Sequence, residues 1–430
     1  MQVRYQAALR PDEVRNYSRA WILRHATFDI AYQGAIRRIM SLPYTPLCAA
    51  IPLRFMPIKI SHQFDSAAIE VVRTEQAQSI DLRLRADSHA DVRQWFYFRL
   101  QGARDTPCRM RILNAADATF PDGWQNYQAC ASYDRVEWFR VPTEYDGGVL
   151  TIAHTPRFDS VWYAYFEPYS WERHLALLGR VGGAEGVRVL DIGSTVEGRD
   201  MNVVVLGNPQ AQRKIWVIAR QHPGETMAEW FVEGMLDALL DACNPLARRL
   251  LGQAELYVVP NMNPDGSVRG NLRTNAAGAN LNREWMAPSA ERSPEVLAVR
   301  NMIHETGCSL FLDVHGDEAL PWVFVAGSEM LEGFTPAQHA AQRDFVESFC
   351  QASPDFQTRH GYSPGKYRED MLQLASKYIG HTFGCVSLTL EMPFKDNADL
   401  PMPSTGWNGA RSMRLGASIL QPMLRAVEGG

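Results

Sequence analysis

The chain has 430 residues, 46% of them hydrophobic, which is more than one typical domain needs for its core. Its 43 basic and 48 acidic residues leave a formal charge of −5, a balance that speaks against nucleic acid as a partner. No run approaches the roughly 18 consecutive apolar residues of a membrane span, so no membrane partner is expected.

In chain order, residues 1–55 carry neither clean alternation nor a capped helical pattern, apart from a short candidate helix over 12–24. They do not resemble a secretory signal, because their apolar run, 47–53, begins far too late and contains proline. The expectation is an extension, disordered or the product of a misplaced start, with the folded protein beginning near Met56. Period-two alternation then predicts strands over 58–61, 69–72, 80–85, 95–100, 108–113, 133–139 and 149–153. Short strands separated by turns argue for an all-β, sandwich-like unit over 56–165. The aromatic run 161–166 predicts firm packing onto the second half of the chain, and Ser170 is placed to cap a helix from Trp171.

From Val187 the texture becomes α/β. Compact apolar runs at 187–193, 202–207, 214–219, 256–260 and 309–314 alternate with candidate helices over 227–242, 294–306, 336–350 and 411–427. The fold class expected for 166–430 is α/β, a mixed and mostly parallel central sheet flanked by helices. The seven cysteines are scattered with no CxxC spacing and read as reduced thiols of a cytoplasmic protein.

Polar landmarks stand where these strands end. His222 and Glu225 follow one, the Asn261–Gly266 stretch follows a second, His315 ends a third and Glu391 a fourth. Two imidazoles and a carboxylate are the donor set that suits zinc, so His222, Glu225 and His315 are the expected ligands of one Zn2+ per chain. Hydrolysis also needs a proton carrier, and Glu391, a lone acid ending an apolar strand, is placed for it. Arg269, Arg273 and Arg283 lie in a glycine- and asparagine-rich stretch suited to holding an anionic terminus.

Taken in order, His222-Pro223-Gly224-Glu225, Asn263-Pro264-Asp265-Gly266, Gly270-Asn271-Leu272-Arg273, Asn280-Leu281-Asn282-Arg283-Glu284-Trp285, Asp313-Val314-His315-Gly316 and Leu388-Thr389-Leu390-Glu391 resemble the zinc metallocarboxypeptidases. The chain is similar to carboxypeptidase A-like enzymes of the cytosolic carboxypeptidase branch, as a bacterial-type member, and its Trp95-Phe96-Tyr97-Phe98 run resembles that branch's extra N-terminal domain. The resemblance implies Glu391 as general base and then acid, Arg273 as the group that polarises the scissile carbonyl, and Asn282 with Arg283 as the grip on the free α-carboxylate. Pro223-Gly224 stands where pancreatic-type members carry an arginine. A mobile tyrosine of the family matches Tyr362, Tyr367 or Tyr378, with Tyr378 preferred. Cytosolic members often remove glutamate, so Lys377, or Arg368 or Arg359 instead, is a candidate for a positive side-chain pocket.

The expected partner is therefore the C-terminus of a peptide or protein; oligomeric state is left open. Two rivals use the same residues. One is a zinc amidohydrolase acting on N-acyl amino acids or cell-wall peptides, and the other a catalytically silent peptide-binding protein.

Overall fold

The computed structural model describes residues 57–363 and 371–429, so the expected extension over 1–55 and the candidates Tyr367 and Arg368 fall outside the described residues. The N-terminal part is two five-stranded sheets. One runs Lys59–Ser61, Tyr97–Gln101, Ser160–Ala164, Ala129–Ser132 and Trp138–Val141; the other runs Glu70–Arg73, Ile80–Arg83, Cys108–Ile112, Leu150–His154 and Thr143–Tyr145. Alternation is the cause: along Cys108–Ile112, Cys108, Met110 and Ile112 are buried while Arg109 and Arg111 are not. The strand expected over 133–139 is displaced. Asp134 accepts hydrogen bonds from the N–H groups of Val136 and Glu137, both at 2.8 Å, which closes a turn between Ala129–Ser132 and Trp138–Val141.

The rest is built on a seven-stranded sheet in the order Arg188–Ser194, Asp200–Gly207, Ala254–Val259, Arg213–Ala219, Leu310–Asp317, Val386–Pro393 and Phe324–Ala326. Its four central neighbours, Ala254–Val259 through Val386–Pro393, are mutually parallel, and the outer pairings are antiparallel. Ala254–Val259 and Leu310–Asp317 are buried along their whole length, as strands covered on both faces must be.

Ser170 caps Trp171–Gly182 as expected, its Oγ accepting from Arg173 N at 3.1 Å. The single helix expected over 411–427 is two, Gly409–Ser418 and Leu420–Gly429. Pro422 has no N–H for the carbonyl of Ser418 and its ring crowds that position, so one helix cannot run through. The β sheets and the α/β part are joined closely. Tyr165 stacks on Phe394 at 4.6 Å between centroids, and Arg140 Nη2 donates to the carbonyls of Phe394 and Trp407 at 2.8 and 2.9 Å. Among the described residues no helix is long and apolar enough to cross a membrane.

Candidate metal centre and active site

The parallel strand Arg213–Ala219 stops at Arg220, which turns the chain with a left-handed φ of 60°. The turn carries His222 and Glu225 and runs into helix Met227–Leu240. Gly224 N donates to Leu272 O at 2.9 Å, and Glu225 N to His222 O at 3.1 Å, so the turn is bonded at both ends. His315 comes from the neighbouring strand, Leu310–Asp317. One donor atom each from His222, Glu225 and His315 lies within 4.8 Å of the others, and all three residues are buried.

The bonding around the triad fixes which ring nitrogen is free. His222 Nε2 faces Asn280 Oδ1 at 3.1 Å, and His315 Nε2 faces Asp313 Oδ1 at 2.8 Å. Both oxygens are acceptors, so both rings hold their proton on Nε2 and turn Nδ1 inward. The two Nδ1 atoms lie 3.2 Å apart, with the Glu225 oxygens 2.7 and 2.8 Å from them. Two imidazole lone pairs and a carboxylate converging on one point fit a zinc ion. Burial and then the Arg273 charge push His222 down to about 3, which keeps it neutral. Burial opposes charge on His315 too, yet Asp313 and Glu225 outweigh it and raise that group.

Glu391 stands opposite His315 in the parallel pairing of Leu310–Asp317 with Val386–Pro393. Its Oε1 accepts from the Tyr362 hydroxyl at 2.8 Å, whereas its buried Oε2 has no hydrogen-bond partner among the described residues. Burial, with Glu225 and Asp317 nearby, pushes the carboxyl up to about 8. The triad and Glu391 line a chamber of about 110 Å³ together with Arg273, Asn282, Arg283 and Lys377. Ala326, Tyr362 and Lys377 also line an adjoining cavity of about 580 Å³.

Asn282 Oδ1 accepts from Ala375 N at 2.9 Å, and Arg283 Nη1 donates to Asn282 O at 2.7 Å. Burial lowers the Lys377 ammonium to about 8. Other expectations are not met. Arg269 pairs with Glu197 away from the chamber, and Arg359 lines the adjoining cavity instead of the chamber and pairs with Asp399 at 2.7 Å. Tyr378 does not line the chamber: its hydroxyl meets His304 Nε2 at 3.0 Å. Adjacent helix positions point about 100° apart, so with Lys377 facing the chamber, Tyr378 faces its neighbour helix. Among the described residues, Tyr362 is the tyrosine that touches Glu391.

Phe120 and Glu318 line the chamber without having carried a sequence signal, and Thr389 sat inside a family-like motif without an assigned role. Glu318 is raised by burial first and by Glu225 and Asp317 next, and its Oε1 has no partner among the described residues. Asn280 and Asp313, which orient the two imidazoles, sat inside the family-like motifs without an assigned role.

Comparison with known proteins gives the family. Residues 60–166 match the cytosolic carboxypeptidase N-terminal domain model, and residues 184–408 match the zinc carboxypeptidase model. A metallo-carboxypeptidase from Burkholderia cenocepacia is 59% identical, with a TM-score of 0.85 over 87% of this chain and 100% of that one. A metallo-carboxypeptidase from Pseudomonas aeruginosa, solved with (2-guanidinoethylmercapto)succinic acid, is 46% identical, with a TM-score of 0.83 over 86% of this chain and 99% of that one. Cytosolic carboxypeptidase 1 of Homo sapiens is 26% identical over 64% of this chain, which spans 26% of the human protein. The chain belongs to the zinc carboxypeptidase family of hydrolases, with the N-terminal domain of the cytosolic carboxypeptidases.

Proposed function

We propose that this protein removes the last residue of a peptide or protein, with a preference for acidic ends, in a catalytic unit over 166–430 preceded by a β unit over 56–165. The observation that carries the reading is Glu391 Oε2, without a hydrogen-bond partner among the described residues, in a chamber whose walls also hold the donor triad, Arg283 and Lys377. A zinc ion held by His222, Glu225 and His315 acidifies water and polarises a carbonyl when bound. Glu391 Oε2 takes the proton of the attacking water, and Tyr362 steadies the other oxygen. As the C–O bond forms, Arg273 donates to the carbonyl oxygen on which charge gathers. Glu391 then delivers its proton to the amide nitrogen as the C–N bond breaks. Arg283, braced on Asn282 O, pairs with the free α-carboxylate, a group that an internal peptide bond lacks. Lys377 receives the side-chain carboxylate.

The free thiols among the described cysteines and the cytosolic carboxypeptidase relatives support a cytoplasmic setting. The compound bound to the Pseudomonas relative carries, by its name, two carboxylates and a guanidino group. A test panel must therefore offer basic as well as acidic ends. Zinc content is measured together with amino-acid release from peptides ending in Glu, Asp, Lys, Arg, Leu or an amide. The expected outcome is one zinc per chain, release of single residues fastest from Glu or Asp, none from the amide, and loss of about 1,000-fold or more in Glu391→Gln at unchanged zinc content. Fastest release from Lys or Arg would reverse the proposed preference. Zinc with no release from any peptide would move the assignment to an acyl-amino-acid amidohydrolase.

A further inference from the structure

The loop that carries Arg273 runs between helix Pro264–Arg269 and the short turn Leu281–Arg283, with no strand or helix of its own. Its shape comes from elsewhere, and the β unit is the source. Asp87, buried between strands Ile80–Arg83 and Tyr97–Gln101, directs its carboxylate into this loop. Oδ1 accepts from Leu272 N at 2.7 Å; Oδ2 accepts from Arg273 N at 2.8 Å, Thr274 N at 2.9 Å and Thr274 Oγ1 at 3.1 Å. Three consecutive backbone N–H groups closing on one anion fix the backbone at and on both sides of Arg273.

The neighbouring contacts act in the same direction. Ser88 N and Oγ both donate to Asn271 Oδ1 at 3.2 Å. Asn271 Nδ2 in turn donates to Thr274 O at 2.9 Å, closing the loop on itself. Gly270 and Gly278 have left-handed φ values of 69° and 77°, and a Cβ on either would run into the backbone oxygen of Ser66 or His89. The loop backbone therefore lies directly against the β unit. At the far end of the arginine, the Phe120 ring lies 5.3 Å from Cζ of Arg273. Arg273 is thus held at its backbone and at its guanidinium by residues of the β unit.

We infer that Asp87 is a positioning residue for Arg273, with Phe120 as its counterpart at the guanidinium, and that the β unit serves the reaction by shaping this loop. The inference rests on the reading of Arg273 as the group that stabilises the oxyanion. A donor displaced by about 1 Å loses rate on the order of 100-fold, and that is the effect expected of freeing the loop. Asp87→Asn keeps the size but sets an NH2 against backbone donors.

The test is a double-mutant cycle on whichever panel peptide the wild type cleaves fastest, with zinc stoichiometry and thermal midpoint checked for each variant. Asp87→Asn is expected to lower kcat and kcat/KM together by about 100-fold, with KM nearly unchanged, the signature of an interaction made in the transition state. Arg273→Ala is expected to lower kcat by about 100- to 1,000-fold. In that background Asp87→Asn should add little or nothing, whereas a merely structural Asp87 would reduce the rate by the same factor in both backgrounds. Equal factors, or an unchanged kcat in Asp87→Asn alone, would overturn the inference. An unchanged kcat in Arg273→Ala would instead overturn the role given to Arg273. If Asp87→Asn yields no folded protein, Phe120→Leu, which leaves the Asp87 bonds in place, carries the same cycle with the same two outcomes.

Discussion

Lys377 shows how much one side chain's surroundings decide. It lies on helix Ala375–Phe383, in the wall shared by the chamber and the larger cavity. Burial lowers its ammonium to about 8, with Glu329 pulling the other way. The group is therefore charged below about pH 8 and increasingly neutral above it. A substrate carboxylate that pairs with the charge binds best below that point, so KM for a glutamate-ended peptide should rise as pH climbs through about 8. A leucine-ended peptide makes no such pair, and its KM should lack that inflection. A hydrogen bond to a charged group is worth roughly 1.5–3 kcal/mol, so Lys377→Met should cost about 10- to 100-fold in kcat/KM on glutamate and little on leucine. Equal losses on both peptides would remove Lys377 from the side-chain pocket.

At the scale of elements, the turn from Arg213–Ala219 into Met227–Leu240 rests on buried charge. Arg220 donates to Pro223 O and Tyr169 O, both at 3.0 Å, and to Glu229 at 2.6 Å; His174 meets the other Glu229 oxygen at 2.6 Å. Arg220 and Glu229 are 1% and 0% exposed. Their bonds hold the unfavourable left-handed backbone at Arg220 and, through Pro223 O, the middle of the ligand turn. Removing one partner of such a pair strands a buried charge, at a cost of about 3–5 kcal/mol. Glu229→Gln should therefore lower the urea midpoint and weaken zinc binding in a chelator competition. Unchanged zinc affinity would confine the network to stability alone.

The proposed ligands of this turn stood out in the sequence because they follow one buried strand closely, where a polar residue needs a reason. Its support did not, since nothing in the chain links Arg220, Glu229 and His174 until the fold brings them together. The same holds for Asp87, 186 positions from Arg273 yet bonded to its backbone. Period-two alternation found most strands of the β unit. It missed the turn at Asp134, where side-chain acceptors overrode β-prone neighbours.

Glu167 ties the whole molecule together where the β sheets meet the α/β part. Its carbonyl accepts from Thr226 Oγ1 at 2.7 Å, at the start of helix Met227–Leu240, and its Oε2 accepts from Gly409 N at 2.8 Å, at the start of Gly409–Ser418. Burial raises its carboxyl to about 7, against the lowering effect of Gly409 N and of Arg173 and Arg140. A carboxyl raised on folding favours the protonated form in the native state. Its ionisation therefore destabilises the fold progressively as pH rises from about 4.5 to about 7, and fully above that. A shift of this size corresponds to about 3 kcal/mol. Glutamine mimics the protonated acid, so Glu167→Gln should unfold at higher urea than wild type at pH 8, by about 1–3 kcal/mol. The advantage should shrink as pH falls through 7 and close near 4.5, where the wild-type carboxyl takes its proton in both states. A gap that stays constant across this window would mean that ionisation of Glu167 does not load the junction, and that its carbonyl and packing alone join the two parts.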